Sequence, residues 1–221
     1  MARFLLHSRR LLKTLIPPLP HPITFLSSRS YISEMRRAAF KDNLLRVLRT
    51  EITYESESRP PSPAAARFDS FSVNDRPGEQ WIRLLGKKGK EDIKIDATMF
   101  DGAAHSRRSD GDDARLHISL VVEVSKGEAS GCVLQFVCSA WPDAVDIEKV
   151  FPVRRGPAAL RPYMGPDFRE LDEEMQIAVR EYLEERGVND KLAEFLHSYM
   201  ANKDQTELLR WLRNIESHIK I

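Results

Sequence analysis

Nine carboxylates crowd the stretch YMGPDFRELDEEMQIAVREYLEERGVND, residues 163–190, which holds no histidine, cysteine or serine. A pair of carboxyl groups can run acid–base chemistry when burial raises the pKa of one of them. The spacing here argues for something else. A helical period gathers Phe168, Leu171, Met175, Ala178, Val179, Tyr182 and Leu183 on one stripe. Glu170, Glu173, Glu174, Glu181, Glu184 and Glu185 fall largely on the other side, where water keeps acids ionised. Such a face suits a basic partner better than a reaction. Asp110, Asp112 and Asp113, in a segment that reads as a hairpin tip, are further candidates for contact with a basic partner.

Other local patterns carry little chemistry. The six histidines, at 7, 21, 105, 117, 197 and 218, have no ligand-like neighbour at i+3 or i+4, so no zinc pattern is present. Asp110-Gly111-Asp112-Asp113 lacks the alternating acids and distal glutamate of a calcium loop. Ser130 lies in GEASG, which is not a nucleophile elbow. Gly86-Lys87-Lys88-Gly89 mimics the G-x-x-G loop of an RNA-binding module, but it sits between strands and not between helices. Gly89-Lys90 lacks the upstream glycine and the Ser/Thr of a phosphate loop. Cys132 and Cys138, six residues apart on one strand, would lie about 20 Å apart on the same face and cannot bond to each other. We expect no catalytic residue, no cofactor and no metal.

The charge is unevenly spread. No Asp or Glu precedes Glu34, whereas Arg3, Arg9, Arg10, Lys13 and Arg29 are interspersed with serines and leucines. Acid-poor, Arg- and Ser-rich and amphipathic is the composition of an organellar transit peptide, here residues 1–33, with a mitochondrial-type processing site near Arg29-Ser30-Tyr31. Taking these 5 bases from 34 leaves 29 against 33 acids, a formal charge of −4 for the remainder. That sign disfavours general nucleic-acid binding. The longest uncharged run, Thr14 to Ser28, contains four prolines, so no membrane-spanning segment is expected.

Several elements must carry these residues. Phe40, Leu44, Val47, Leu48 and Ile52 predict a helix over 34–55, and the proline-rich link 59–63 follows it. From 68 to 153 the period drops to two. The spacing predicts strands at 68–73, 80–85, 93–98, 116–124, 133–141 and 145–151, too close together for crossover helices and therefore antiparallel. Three helices are expected over 167–220. The first is capped by Asp167 with Glu170 and stopped by Gly187; the second starts at Asn189 or Asp190; the third is capped by Asp204 with Glu207. Trp211, Leu212, Ile215 and Ile219 on the last need a partner, for which the helix at 34–55 is the candidate.

From Tyr163, Gly165-Pro166, Phe168, Leu171-Asp172-Glu173, through Tyr182-Leu183-Glu184-Glu185-Arg186-Gly187, to Leu192, Phe195-Leu196, Tyr199 and Trp211-Leu212, the sequence resembles one family. This is the mitochondrial acidic matrix protein family, also called the mitochondrial glycoprotein family, whose animal member is the receptor for globular heads of complement. The likeness is close over 163–212 and elsewhere only in order and kind. It implies an α+β fold: a strongly twisted antiparallel sheet of about seven strands, one N-terminal helix and two to three C-terminal helices, in one domain over 34–221. It also implies a ring-shaped homotrimer in the mitochondrial matrix, without catalytic residues. Members are linked to mitochondrial ribosome assembly and translation, oxidative phosphorylation and chaperone-like binding. The clients implied are basic matrix proteins such as ribosomal or respiratory-complex components. The alternative is a module in mitochondrial RNA handling, with Lys87, Lys88, Lys90, Arg107 and Arg108 meeting phosphate. A charge of −4 is milder than many family members carry, which weakens the case for long-range steering.

Overall fold

The structure is a computed structural model describing residues 23–105, 114–127, 131–154 and 162–221. The chain divides into two units, Met1–Val47 and Leu48–Ile221. Helix α1 spans Ile23–Ser58, longer at both ends than the expected 34–55. In the first unit Phe40 is 70% exposed, so the apolar stripe read from the sequence is not all inward. In the second unit Leu48 is buried, and the last turns of α1 reach the C-terminal helix. Arg49 Nε lies 2.8 Å from Glu216, and Gln205 donates to the Glu55 carboxylate at 2.9 Å. The helix expected as partner of the C-terminal helix thus meets it over these turns through polar contacts, but Trp211, expected to be covered, stays 58% exposed.

The second unit is built on a seven-stranded sheet whose order follows the chain: β1 Arg67–Phe68, β2 Phe71–Asp75, β3 Trp81–Lys88, β4 Glu91–His105, β5 Ala114–Ser125, β6 Cys132–Trp141 and β7 Ala144–Arg154. Every neighbouring pair is antiparallel. The run expected as one strand over 68–73 is broken at Asp69, whose positive φ of 48° turns β1 into β2. Alternation sorts the two faces. Ile82, Ala97, Leu120, Cys138 and Ile147 form one continuous cross-strand row, and all five are buried. The neighbouring row of Arg83, Asp96, Val121 and Val137 points to the opposite face.

The buried face is sealed by α2 (Glu173–Glu184) and α3 (Asp190–Lys220). Leu183, Leu192, Ala193, Leu196 and Met200 join the sheet residues in a single core. Burying a leucine or methionine is worth about 2 kcal/mol, so three such residues on two turns of α3 outweigh any local preference to end the helix.

Two expectations about the helices are corrected. Asp167 does not cap the long helix. Its carboxylate accepts from Arg169 N at 3.2 Å and caps a 3-10 turn, Phe168–Glu170, after which the chain restarts. The cap of α2 is Asp172, which accepts from Met175 N at 2.8 Å. Nor does Asp204 start a third helix, because α3 runs unbroken for 31 residues. No glycine or proline interrupts it, and Thr206 donates to Asn202 O at 2.9 Å in mid-helix. The Glu207 carboxylate serves Gly78 N at 3.0 Å and Arg210, not an N-terminus of its own. The C-terminal helices thus number two, with the 3-10 turn before them, among the described residues.

Candidate functional site

Helix α2 carries most of the candidate acids. Glu173 and Glu174 occupy its first turn, where carboxylates favour the positive end of the helix dipole. At about 100° per residue, Glu173, Glu174, Glu181 and Glu184 surround Ile177 on one side, while Val179, Tyr182 and Leu183 face the core. All four glutamates are exposed, and Ile177 is 45% exposed among them. Met175 and Ala178, expected in the apolar stripe, are exposed as well, because the sheet covers only a narrow strip of α2. Glu170 lies on the preceding 3-10 turn, also exposed. Asp110, Asp112 and Asp113 lie outside the described residues, as do Arg107 and Arg108.

Glu185 is drawn out of this group. Its backbone carbonyl accepts from Lys88, and its carboxylate lies 3.8 Å from the same ammonium and 3.9 Å from Arg186. Arg186 is the joint that fixes the end of α2. Its guanidinium lies 3.3 Å from the centre of the Tyr182 ring, donates to Tyr182 O at 2.7 Å and holds the Glu91 carboxylate through two nitrogens at 2.9 and 2.7 Å. Gly187 follows with φ +78°, and a Cβ there would meet the Phe71 ring at 2.9 Å. Position 187 therefore needs glycine twice over, for its left-handed backbone and for the ring beside it. Of the remaining motif residues, Phe168, Leu196 and Leu212 are buried. Leu171 and Phe195 pack against the core, with the Phe195 ring stacked 4.3 Å from Phe68. Tyr163 stands 83% exposed. Gly165 (φ +74°) and Pro166 shape the turn before Asp167.

The lysines of the alternative reading are engaged within the chain. Lys87 lies 3.0 Å from Asp92, and Lys88 is bound to Glu185. Lys90, exposed at the β3–β4 turn, has no carboxylate partner among the described residues.

The sheet face opposite α2 and α3 is a feature that the spacing of the sequence does not single out. Arg83 forks onto Asp96, Lys94 bridges Asp96 and Glu123, and Arg83 lies over the Trp81 ring at 4.8 Å. The signal was present in the odd positions 81, 83, 121 and 123 and the even positions 94 and 96, but register alone puts them side by side. Towards β7, Ser139 donates to Glu148 at 2.6 Å and Trp141 to Asp146 at 3.1 Å. Cys138 lies on the buried face, where burial first, then the charges of Glu148 and Asp146, pushes its thiol far above the range of a working nucleophile. Three or more His, Cys, Asp or Glu side chains do not converge as a metal site among the described residues. No described helix is long and apolar enough to cross a membrane.

The sequence model of the mitochondrial glycoprotein family, MAM33, matches residues 48–219. An uncharacterized mitochondrial protein of Arabidopsis thaliana is 30% identical over 203 residues, covering 86% of this chain and 80% of that protein. The mitochondrial acidic protein mam33 of Schizosaccharomyces pombe is 24% identical over 215 residues, covering 81% and 79%. Among solved structures, the Trypanosoma brucei p22 protein superposes with a TM-score of 0.68 at 22% identity, covering 82% of this chain and 99% of its own. A Leishmania major protein described as a sequence homologue of human p32 gives 0.64 at 21% identity, covering 80% and 98%. At these identities the structural likenesses establish the fold, and the sheet with its three helices matches theirs.

Proposed function

The chain belongs to the mitochondrial glycoprotein family, and from that footing we propose that it is a non-enzymatic binding scaffold of the mitochondrial matrix. Its relatives are named as mitochondrial. In this reading residues 1–33 are the presequence, and 34–221 form the mature domain. The clients are basic proteins, such as components of the mitochondrial ribosome or the respiratory complexes. Holding them in chaperone-like fashion supports translation and oxidative phosphorylation.

One observation carries the reading. Glu173, Glu174, Glu181 and Glu184 stand in solvent around a single face of α2, with Arg180 as the one cation of that helix, exposed at the edge of the face, while Lys88 and Arg186 nearby are turned to Glu185, Glu91 and Tyr182 instead. Exposed charges in this arrangement add little to stability. They do create a local negative field for a basic surface, screened beyond about 8 Å at physiological salt. The RNA-handling alternative loses support from the same geometry, because Lys87 and Lys88 already have carboxylate partners.

The proposed assembly is a homotrimeric ring. Among the described residues β7 pairs with β6 alone; Asp190 takes the Val145 N–H at 3.2 Å, and the rest of this edge strand has no described strand beside it, an arrangement that invites pairing. Light scattering on the purified chain should give three times the chain mass; a folded monomer at micromolar concentration would remove the ring. For client binding, the triple variant Glu173→Gln/Glu181→Gln/Glu184→Gln should release most basic matrix proteins in pull-down from mitochondria, and rising salt should do the same to the unaltered chain. Retention that ignores both salt and the triple variant would refute the electrostatic basis.

A further inference from the structure

We propose that a groove between Trp81 and Trp211 is a second client site, taking a basic amphipathic segment whose lysines or arginines flank an aliphatic anchor. This rests on the reading of the protein as a binder of basic clients and adds a surface away from α2.

Two cavities open side by side where the end of the sheet meets α3. One, of about 740 Å³, is lined by Trp81, Val121 and Asp101; the other, of about 430 Å³, by Trp211, Leu208 and Glu79. They share Gln80, Met99 and Asp204, so they form one continuous trough. Each of its two cavities lies in the size range of ligand clefts, about 300–1,000 Å³. Its floor is apolar, from Trp81 through Met99 to Leu208 and Trp211. Trp211 is 58% exposed, although Leu212 beside it is buried. A tryptophan left open beside methionine and leucine is the kind of anchor that dominates protein interfaces.

The rims supply the charge. The two linings together hold Arg83 and Arg210 against five carboxylates, a formal charge of −3. Both arginines are spent within the chain, Arg83 on Asp96 and Arg210 on Glu207. Of the other three acids, Glu79 lies 3.6 Å from the exposed Arg76, its one cationic partner among the described residues. Asp101 accepts from the hydroxyls of Thr98 and Ser119, neither of which carries charge. Asp204 stands exposed on α3. The trough already accommodates a cation of its own, since the Arg83 guanidinium sits 4.8 Å above the Trp81 ring. Aromatic faces with nearby carboxylates favour guanidinium and ammonium groups. An acidic peptide or nucleic acid would meet the wrong sign, and an uncharged apolar segment would leave the rims unpaired.

The test is fluorescence anisotropy of the full chain with a labelled fifteen-residue leucine–lysine peptide, amphipathic as a helix, against a peptide of the same composition in scrambled order. The amphipathic peptide is expected to bind at least about tenfold more tightly, and Trp211→Ala and Asp204→Lys are each expected to weaken it about tenfold, as for truncated interface anchors. Both positions are exposed, so circular dichroism should show an unchanged fold. Equal affinity for the two peptides, or indifference to Trp211→Ala, would overturn the site. Binding that survives both groove variants but is lost in Glu173→Gln/Glu181→Gln/Glu184→Gln would assign the client to α2, refuting the groove while leaving the proposed function standing. No binding of either peptide would sink both. A change in assembly mass with Trp211→Ala, without loss of peptide, would mean that a second copy occupies the trough, again overturning the client site.

Discussion

The ammonium of Lys203, its side chain only 2% exposed in the middle of α3, lies 2.6 Å from the carboxylate of Asp75 at the end of β2. Asp75 also accepts from Tyr199 at 2.9 Å, and Lys203 donates to Arg76 O at 3.3 Å. This polar knot ties the β2–β3 turn to α3 across 128 residues of sequence. A buried pair of this kind adds little net stability over an apolar substitute, but removing one partner strands the other's charge. Lys203→Ala should therefore cost about 3 kcal/mol, or a fall in Tm of about 6–12 °C for a domain of this size. Joining Asp75→Asn to Lys203→Met should recover much of that loss. Thermal denaturation of the three variants measures both effects, and a Lys203→Ala melt within about 2 °C of the parent, under 1 kcal/mol, would contradict the account.

The same knot makes stability depend on acid. Burial works against ionised Glu207, but the hydrogen bonds from Arg210 and Gly78 N and the charges of Arg210 and Lys203 prevail and hold its pKa below the ordinary glutamate value. A lowered folded-state pKa means that the unfolded chain takes up the proton first. The stabilisation is therefore complete above about pH 4.3, the unperturbed glutamate value, and drains away as pH falls through the lowered one. Urea midpoints between about pH 5 and pH 3 should fall more steeply for the parent than for Glu207→Gln. At the other extreme, burial first, then the hydrogen bond and charge of Asp75, raises the Tyr199 phenol. Its contribution is full below about pH 10 and is lost as pH climbs from there through the raised value, so Tyr199→Phe should flatten the alkaline limb.

These contacts also mark where the sequence stops being legible. The strands could be read because the even positions of Leu116–Val124 and of Val133–Trp141 are all apolar, despite Val121 and Val137 on the other face, and closeness along the chain left only antiparallel neighbours. Helix ends were harder. Asp167 is a cap, but of a 3-10 turn and not of the long helix, and Asp204 only looks like one: a cap is decided by which backbone N–H groups lack partners, and the packing of Leu196, Met200 and Leu209 on α3 leaves none free at 204. Local spacing showed the α2 glutamates as a group. It could not show that Glu185 would be lost to Lys88, or that Asp101 and Asp204, 103 positions apart, would share a trough with two tryptophans. Such pairings depend on register and on helix placement, which no short window contains.

Phe71 is fully buried, with Gly86 and Gly187 held against its ring. A Cβ at 86 would lie 2.6 Å from the ring, and one at 187 would lie 2.9 Å from it on a backbone of φ +78°. Gly187→Ala carries a left-handed penalty of about 1–2 kcal/mol in addition to the contact, so it should destabilise by at least about 2 kcal/mol. Gly86→Ala has the contact alone, and should cost about 1–3 kcal/mol. Adding Phe71→Leu to each tests the division: the ring's removal should rescue Gly86→Ala in large part but leave the backbone share at 187. Equal rescue at both positions, read from chemical unfolding, would disprove the strain at 187.

Arg186 and Glu91 join the end of α2 to the β3–β4 hairpin with side chains only 11% and 16% exposed. The guanidinium does three things at once: it forks onto the carboxylate, covers the Tyr182 ring and donates to Tyr182 O. A lysine supplies the charge without the planar fork or the stacking face. Arg186→Lys should therefore lose about 1–2 kcal/mol despite keeping its sign, and Arg186→Ala about 3 kcal/mol, because Glu91 is then stranded. Hydrogen exchange separates a local from a global effect. If Arg186 anchors α2, amides of the last α2 turn, Glu181 to Glu184, should exchange faster in Arg186→Lys while those of β5 and β6 keep their protection. Uniform acceleration across the sheet, or none at α2, would show that the joint does not hold the acidic helix in place.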